Sequence, residues 1–311
     1  MARTTLRAAF LRIVRVWDDA VRAGRMSPQT AESYIATGER LLRYTAALGI
    51  TRLDDVTNSV AQAFADAPGR DRHGNITPVP ADSTRRVRKS GIDALFTEAR
   101  YLGLTTKAPL LDLPPIPRSA RRPVGGLTDA DVDNLRFHAE RGMPQTRHAA
   151  VLAMLLSGLH TGEIGWTSTA DLDHEHTRVW AAGATRITAR YCPLNDLWCQ
   201  DVLDQRARHL LKHSAASGPP PALAISTDAP AHRRQSSVCT AFGEIVLHSG
   251  TKPDGRSARP RDVTSWLAAK VFAESGQIAD VAIRLGLTSL DGAARLAGYD
   301  WRTAQEEDPA A

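Results

Sequence analysis

The sequence predicts a mainly α-helical chain of two domains, and three observations carry that expectation. Apolar residues recur at helical spacing through most of the chain, between capping residues and glycines. A stretch rich in Pro and Arg, LLDLPPIPRSARRPVGG, has the composition of a stiff, extended linker and separates two groups of helices. One run, TRVWAAGATRITARYCPL, places two β-branched or aromatic segments around Ala182-Gly183, the pattern of a small β-hairpin. The expected division is therefore an N-terminal helical domain over 1–113, a linker over 114–126 and a C-terminal domain over 127–311.

Taken in order, Thr5 to Ala23 puts Leu6, Phe10, Ile13, Val14, Trp17 and Val21 on one helical face, and Gly24 stops the pattern. A second helix opens at Ser27 with Pro28 in its first turn and Glu32 nearby. It turns Tyr34, Leu41, Leu42, Tyr44 and Leu48 inward and ends at Gly49. A third, short helix fits Val56 to Ala65, and PGRDRHGNITPVPADS is expected to be a loop because of its Gly and Pro. The fourth helix runs from Ser83 or Thr84 to Tyr101, with Val87, Ile92, Leu95 and Phe96 inward and Arg85, Arg86, Arg88 and Lys89 on its polar face. Beyond the linker, LTDADVDNLRFHAE reads as a helix start capped by Thr128, with Asp131 completing a variant capping box. RHAAVLAMLLSG reads as a buried helix. After the hairpin, helices are expected from Asn195 to Lys212 and near Ser236 to Ser249, and then two or three more, broken at Gly276 and Gly286.

Composition narrows the function classes. Three cysteines, an odd number, and no apolar leader behind a basic N-terminus point to a reducing cytoplasm, and no stretch is long and apolar enough for a membrane span. Residues 1–124 hold 20 Lys and Arg against 12 Asp and Glu, whereas 125–311 hold 19 against 22, so the halves carry +8 and −3. That asymmetry points to a polyanionic partner for the N-terminal half, nucleic acid above all. The plainer alternative is a solvated basic surface in an arginine-biased chain, in which only five of the 39 basic residues are lysines.

The order of segments is more specific than any one of them. A basic four-helix region precedes a Pro-rich linker, then LT, an apolar helix ending SGL before EI, a hairpin ending in R and PL, and a closing series with VA and LG. This order resembles the tyrosine recombinases, the phage-integrase family, over nearly the whole chain. SPQTAESYIATGERLLRYTAALG and STRRVRKSGIDALFTEARYLGL are similar to the two signature helices of that family's core-binding domain. The resemblance implies a four-helix, SAM-like core-binding domain followed by an α+β domain with a small β-sheet, double-stranded DNA as partner, self-association on DNA, a nucleoid-associated cytoplasmic location and no cofactor.

It also implies a chemistry in which a tyrosine attacks a phosphodiester while cations neutralise the transition state and a lysine or histidine handles the leaving oxygen. Each of the family's positions is altered here. The first arginine, directly after GL, is His160, although Glu163 follows three residues later. No lysine lies between Lys107 and Lys212, so Ala184, Thr185 or Arg186 stands where the hairpin lysine belongs, with Arg186 the only cation nearby. The motif HxLR becomes RDVT, placing Arg261 and Thr264 at the histidine and second arginine, and LGH becomes LGL, ending at Leu287. The nucleophile position falls on Leu296, and Tyr299 lies one helical turn later. The expectation is a DNA-binding pseudoenzyme with an accessory, architectural or regulatory role. Its phosphate contacts are assigned to Arg85, Arg86, Arg88 and Lys89, to Arg118, Arg121 and Arg122 in the linker, and to Arg256, Arg259 and Arg261. Two alternatives stay open: a divergent active recombinase using Tyr299, and a helix-turn-helix regulator built on GQIADVAIRLGLTSLDGAARLAGY, whose second helix offers only Arg295 as a long base-reading side chain.

Other constellations are weaker. Cys192, Cys199, His209 and His213 depart from zinc-finger spacing at both intervals, and no metal site is expected. His174 and His176 alternate with acids in DLDHEHT and read as solvated turn residues. Neither a Gly-rich phosphate loop nor a nucleophile elbow is recognisable.

Overall fold

A computed structural model describes residues 4–70, 75–113, 116, 126–184, 186–215, 217–225 and 229–299. The chain divides into two compact units, Met1–Arg121 and Arg122–Ala311. Of the expected linker over 114–126, only Ile116 and Gly126 are among the described residues, so Arg118, Arg121 and Arg122 lie outside them.

The first unit is four helices around one core. Helix α1 (Leu6–Arg22) starts where the Thr5 hydroxyl accepts the Ala8 N–H at 3.2 Å. Helix α2 (Pro28–Ala47) starts the same way, from Ser27 to the Thr30 N–H, with proline at its first position. A 3₁₀ turn (Leu53–Asp55) leads to α3 (Asn58–Asp66), and α4 (Asp82–Tyr101) closes the bundle against α2 and α3. Trp17, Phe96, Ile13, Leu41 and Ile92 fill the centre. The loop between α3 and α4 differs from expectation: two-residue strands β1 (Gly69–Arg70) and β2 (Ile76–Thr77) pair antiparallel within it. Strands that short carry no alternation of apolar residues, so glycine and proline dominated the sequence pattern.

The second unit is built on α6 (His148–Leu156), in which Ala149 through Leu156 are all buried. A helix apolar on every side belongs at the middle of a core. Around it lie α5 (Asp129–Ala139), α8 (Leu197–Lys212), α9 (Ala231–Ser249) and α10 (Pro260–Ser275). The capping box of α5 forms as expected: the Thr128 hydroxyl accepts the Asp131 N–H at 3.1 Å and the Asp131 carboxylate accepts the Thr128 N–H at 3.0 Å. A one-turn helix, α7 (Thr161–Ile164), follows α6. Helices α11 (Ile278–Leu285) and α12 (Leu290–Ala297) close the unit, with Gly276 and Gly286 at φ of +68° and +65° marking the breaks. Helix α9 starts earlier than expected, at Ala231, because Pro230 sets its boundary.

Three antiparallel strands, β3 (Leu172–Asp173), β4 (Arg178–Ala181) and β5 (Arg190–Pro193), form the small sheet in the order β3-β4-β5. The hairpin is therefore β4–β5, but it does not turn tightly at Ala182-Gly183. Between the strands Ala184 and Ile187 exchange backbone hydrogen bonds of 2.8 and 3.0 Å, a narrow turn of their own. Strand β3 had no sequence signal, since DLDHEHT is acidic and polar. The mainly α architecture with a small three-stranded sheet in the second unit stands as expected. Among the described residues, no helix is long and apolar enough to cross a membrane.

Trp17 is 2% exposed and anchors the first core. Trp17→Ala is expected to lower the unfolding free energy by about 3–5 kcal/mol, read as an earlier denaturant midpoint of the transition that reports on the first unit.

Candidate nucleic-acid interface and the altered centre

The turn from α6 into α7 positions His160 and Glu163. Gly158 sits there at φ +101°, and a Cβ on it would come within 3.3 Å of the Arg284 carbonyl oxygen. Only glycine lets the turn lie this close to α11. His160 precedes α7, and the Glu163 carboxylate reaches back to accept its backbone N–H at 2.8 Å. The His160 ring points the other way. Its Nε2 lies 2.8 Å from the Leu285 carbonyl oxygen, and since a carbonyl only accepts, Nε2 carries the proton and donates.

Arg190 on β5 dominates the centre, and the sequence reading missed it. Its guanidinium meets the buried Glu163 carboxylate with Nη1 at 2.8 Å from Oε1 and Nη2 at 3.3 Å from Oε2. Nη2 also donates to the Gly158 carbonyl at 2.7 Å, Nη1 to the Thr188 carbonyl at 3.0 Å, and Nε to the Arg284 carbonyl at 3.1 Å. An arginine has five N–H donors. All five are taken, every one by an acceptor inside this unit. Gly286 makes room for the group: a Cβ there would fall 2.5 Å from Arg190 Nη1 and 2.8 Å from the Thr188 carbonyl oxygen.

The statement that Arg186 is the only cation near the hairpin is therefore corrected. Arg186 is exposed in the narrow turn, while Arg190, four residues later, is the cation in the centre. Ala184 is exposed beside it, and Thr185 lies outside the described residues. Arg284 comes close as well. Its Nη2 donates to the Pro193 carbonyl at 2.7 Å, its Nε is buried with no partner among the described residues, and burial pulls it below the usual guanidinium range.

The remaining positions offer little to a phosphodiester. Thr264 is buried on α10 and donates its hydroxyl to the Pro260 carbonyl at 3.3 Å. Leu287 is half-buried beside the hairpin loop, pairing with Ile187 through the backbone. Leu296 packs into the small core between α10, α11 and α12. Tyr299 is half-buried with its ring centroid 4.9 Å from that of Phe272. Arg261 is exposed in the first turn of α10.

The expected DNA-contacting residues divide. Arg88 does not belong to an exposed face: it is 7% exposed, and its Nη1 donates to the carbonyls of Phe64, Ala65 and Ala67. Arg85 pairs with Asp66 at 2.6 Å and with Asp82 at 3.2 Å. Arg86 and Lys89, also on α4, each have a partner. Arg256 clasps the buried Asp262 in a bidentate pair of 2.8 and 2.7 Å, so it braces the start of α10. Arg259 and Arg261 remain exposed there. Helical spacing placed these residues on the correct helices, but it could not tell an arginine reaching solvent from one folded back onto backbone carbonyls.

The cysteines and histidines of the weak zinc pattern separate into different environments. Cys192 and Cys199 are buried in the core, which pushes both thiols up, Cys199 to about 12. Burial thus disfavours the thiolate that binds metal. His209 and His213 instead stack on each other at 4.7 Å. Among the described residues, no group of three or more His, Cys, Asp or Glu could hold a metal ion. His174 and His176 are exposed as expected but not unpartnered: they lie 2.9 Å from Asp204 and 3.0 Å from Asp173.

No protein-family model matches the chain, and no curated protein matches it. Solved structures do. A lambda integrase dimer bound to a COC' core site superposes with a TM-score of 0.67 at 17% identity, over 96% of this chain and 79% of that one. A lambda integrase tetramer bound to a Holliday junction gives 0.66 at 17% identity, over 96% and 80%. The Tn1549 transposon integrase in complex with transposon right end DNA gives 0.63 at 16% identity, over 95% and 98%. These neighbours are tyrosine recombinases, and the chain has their fold.

Removing one partner of a buried ion pair leaves the other charge without compensation. Arg190→Met is expected to cost about 3–5 kcal/mol of stability in chemical denaturation. Arg190→Met combined with Glu163→Gln should cost less than Arg190→Met alone, because no buried charge is then left.

Proposed function

We propose that this protein binds double-stranded DNA on a tyrosine-recombinase frame and does not cleave it. What supports the second half is the state of His160, Thr264 and Leu296, the residues set against the family's cleavage positions, together with the complete internal engagement of Arg190. A transition-state clamp needs donors aimed at the phosphate and free to meet it. Here the centre's guanidinium has none to give, the His160 ring donates to Leu285, and Thr264 donates within its own helix. Leu296 stands where the nucleophile is expected, and Tyr299 rests on Phe272.

The first half is supported by the charge of +8 on residues 1–124 and by neighbours whose structures hold DNA. The exposed Arg259 and Arg261 at α10 supply phosphate contacts. Those neighbours include a dimer and a tetramer, which supports self-association on DNA as part of the same reading. The role is accessory, architectural or regulatory, within the cytoplasm and at the nucleoid.

Two measurements test the two halves separately. In retardation assays with duplex fragments selected from a genomic library, log affinity should fall against log salt with a slope of about −5 if about six phosphates are neutralised. Flat dependence, or no retardation at low salt, would remove DNA from the account. On nicked duplexes that trap cleavage intermediates, no covalent protein–DNA adduct should form. An adduct that disappears in Tyr299→Phe would instead make the protein an active recombinase.

A further inference from the structure

A second candidate site lies entirely within the first unit. A cavity of about 790 Å³ opens between α2, the β1–β2 hairpin and the start of α4. That is within the size range of small-molecule sites. Three arginines line it, Arg40, Arg43 and Arg88, and no carboxylate is among its described lining residues. Arg40 and Arg43 lie one turn apart on α2, so they share a face. Both are exposed, and no ion pair holds either among the described residues.

Arg88 forms the inner end of the cavity. Its Nη1 is fixed by three backbone carbonyls, while its Nε is buried without a partner. Burial first, and then the nearby charge of Arg40, make the protonated form of Arg88 harder to hold than usual. An anion seated among the three guanidinium groups would relieve that repulsion. A further contribution comes from α4. This 20-residue helix begins at the cavity wall with Ala81 as its N-cap, so no side chain caps its first amides. Beside the cations, Tyr44, Phe64 and Ile76 give the cavity an apolar wall suited to a flat ring.

Depth selects the form of the anion. Arg88 is only 7% exposed, and a phosphodiester inside a duplex is flanked by two sugars that hold it away from so recessed a group. A terminal phosphate has no such obstacle. We propose that this cavity binds a free nucleoside 5′-phosphate, with its phosphates on Arg40, Arg43 and Arg88 and its base against Tyr44 and Ile76. The site does not depend on the DNA-binding reading, and it uses none of the residues assigned to phosphate contacts except Arg88, which is withdrawn from an exposed face.

The test is calorimetric titration of the full chain with ATP, pyrophosphate and adenosine, each alone at low salt. ATP should bind with one-to-one stoichiometry, pyrophosphate more weakly, and adenosine most weakly. The double variant Arg40→Gln/Arg43→Gln removes two exposed charges without touching the core. It should weaken ATP at least about tenfold while the unfolding midpoint stays unchanged. Absence of binding by ATP, GTP, CTP and pyrophosphate at millimolar concentration would overturn the proposal, as would equal affinity in the double variant. A labelled duplex provides the last arm. Duplex affinity unaffected by saturating ATP supports a separate small-molecule site. Displacement of ATP by duplex, with duplex affinity lost in the double variant, would overturn the free-nucleotide reading and leave DNA binding standing.

Discussion

The five-donor cage of Arg190 is the interaction on which the second unit's centre depends. One guanidinium joins the α6–α7 turn through Gly158 and Glu163, the hairpin loop through Thr188, and α11 through Arg284. Its planar geometry suits the task, since two parallel bonds hold the carboxylate while the outer N–H groups reach carbonyls on either side. The surrounding backbone has to come unusually close, and that closeness explains the glycines. Gly158 and Gly286 both lie at positive φ, and a Cβ on either would press on backbone atoms of the cage. A buried ion pair gives little net stability by itself, but it makes every alternative packing costly, because each would strand a charge. The cage thus fixes the relative placement of the hairpin loop and the α11–α12 turn.

That same engagement limits what a guanidinium can offer a ligand. Guanidinium groups can either brace a fold or meet an incoming phosphate, and a donor already satisfied inside the protein is lost to the ligand. The pattern recurs across the chain. Arg206 donates to the carbonyls of Leu223, Pro144 and Gln145, and Arg256 to Asp262. Net charge therefore overstates the surface open to a polyanion. The value of +8 for residues 1–124 includes Arg88, which is buried, and Arg85, whose charge is offset by Asp66 and Asp82.

Much of the fold could be read from the sequence because helices advertise themselves locally. Thr5, Ser27 and Thr128 cap where their side chains predict, and Gly49, Gly276 and Gly286 end helices by taking the left-handed conformation. The pieces that escaped were two-residue strands, whose pairing is decided by partners distant in sequence and leaves no periodicity. The centre was legible in part. Reading the sequence against the family pattern pointed to the turn at His160 and Glu163 and to the R and PL that end the hairpin, but nothing in it showed that Arg190 would close on Glu163. Its only trace was its place in the RYCPL end of the hairpin, one arginine among many. Arg40 and Arg43 were missed for a related reason: they sit on a helix read for its apolar face, and their meeting with Arg88 is a matter of packing.

His160 shows how this centre balances its polar groups. An imidazole at this turn has neither the permanent charge nor the reach of an arginine. The nearby acceptors still have to be satisfied, because a buried carbonyl or carboxylate without a partner destabilises the fold. Here the imidazole takes up the Leu285 carbonyl and Arg190 takes up Glu163, so the polar groups balance with no ligand present. A centre balanced in this way holds the α6–α7 turn and the hairpin to α11 through His160 and Arg190. Arg259 and Arg261, exposed at the start of α10, lie outside this balance, so changes there leave the cage undisturbed.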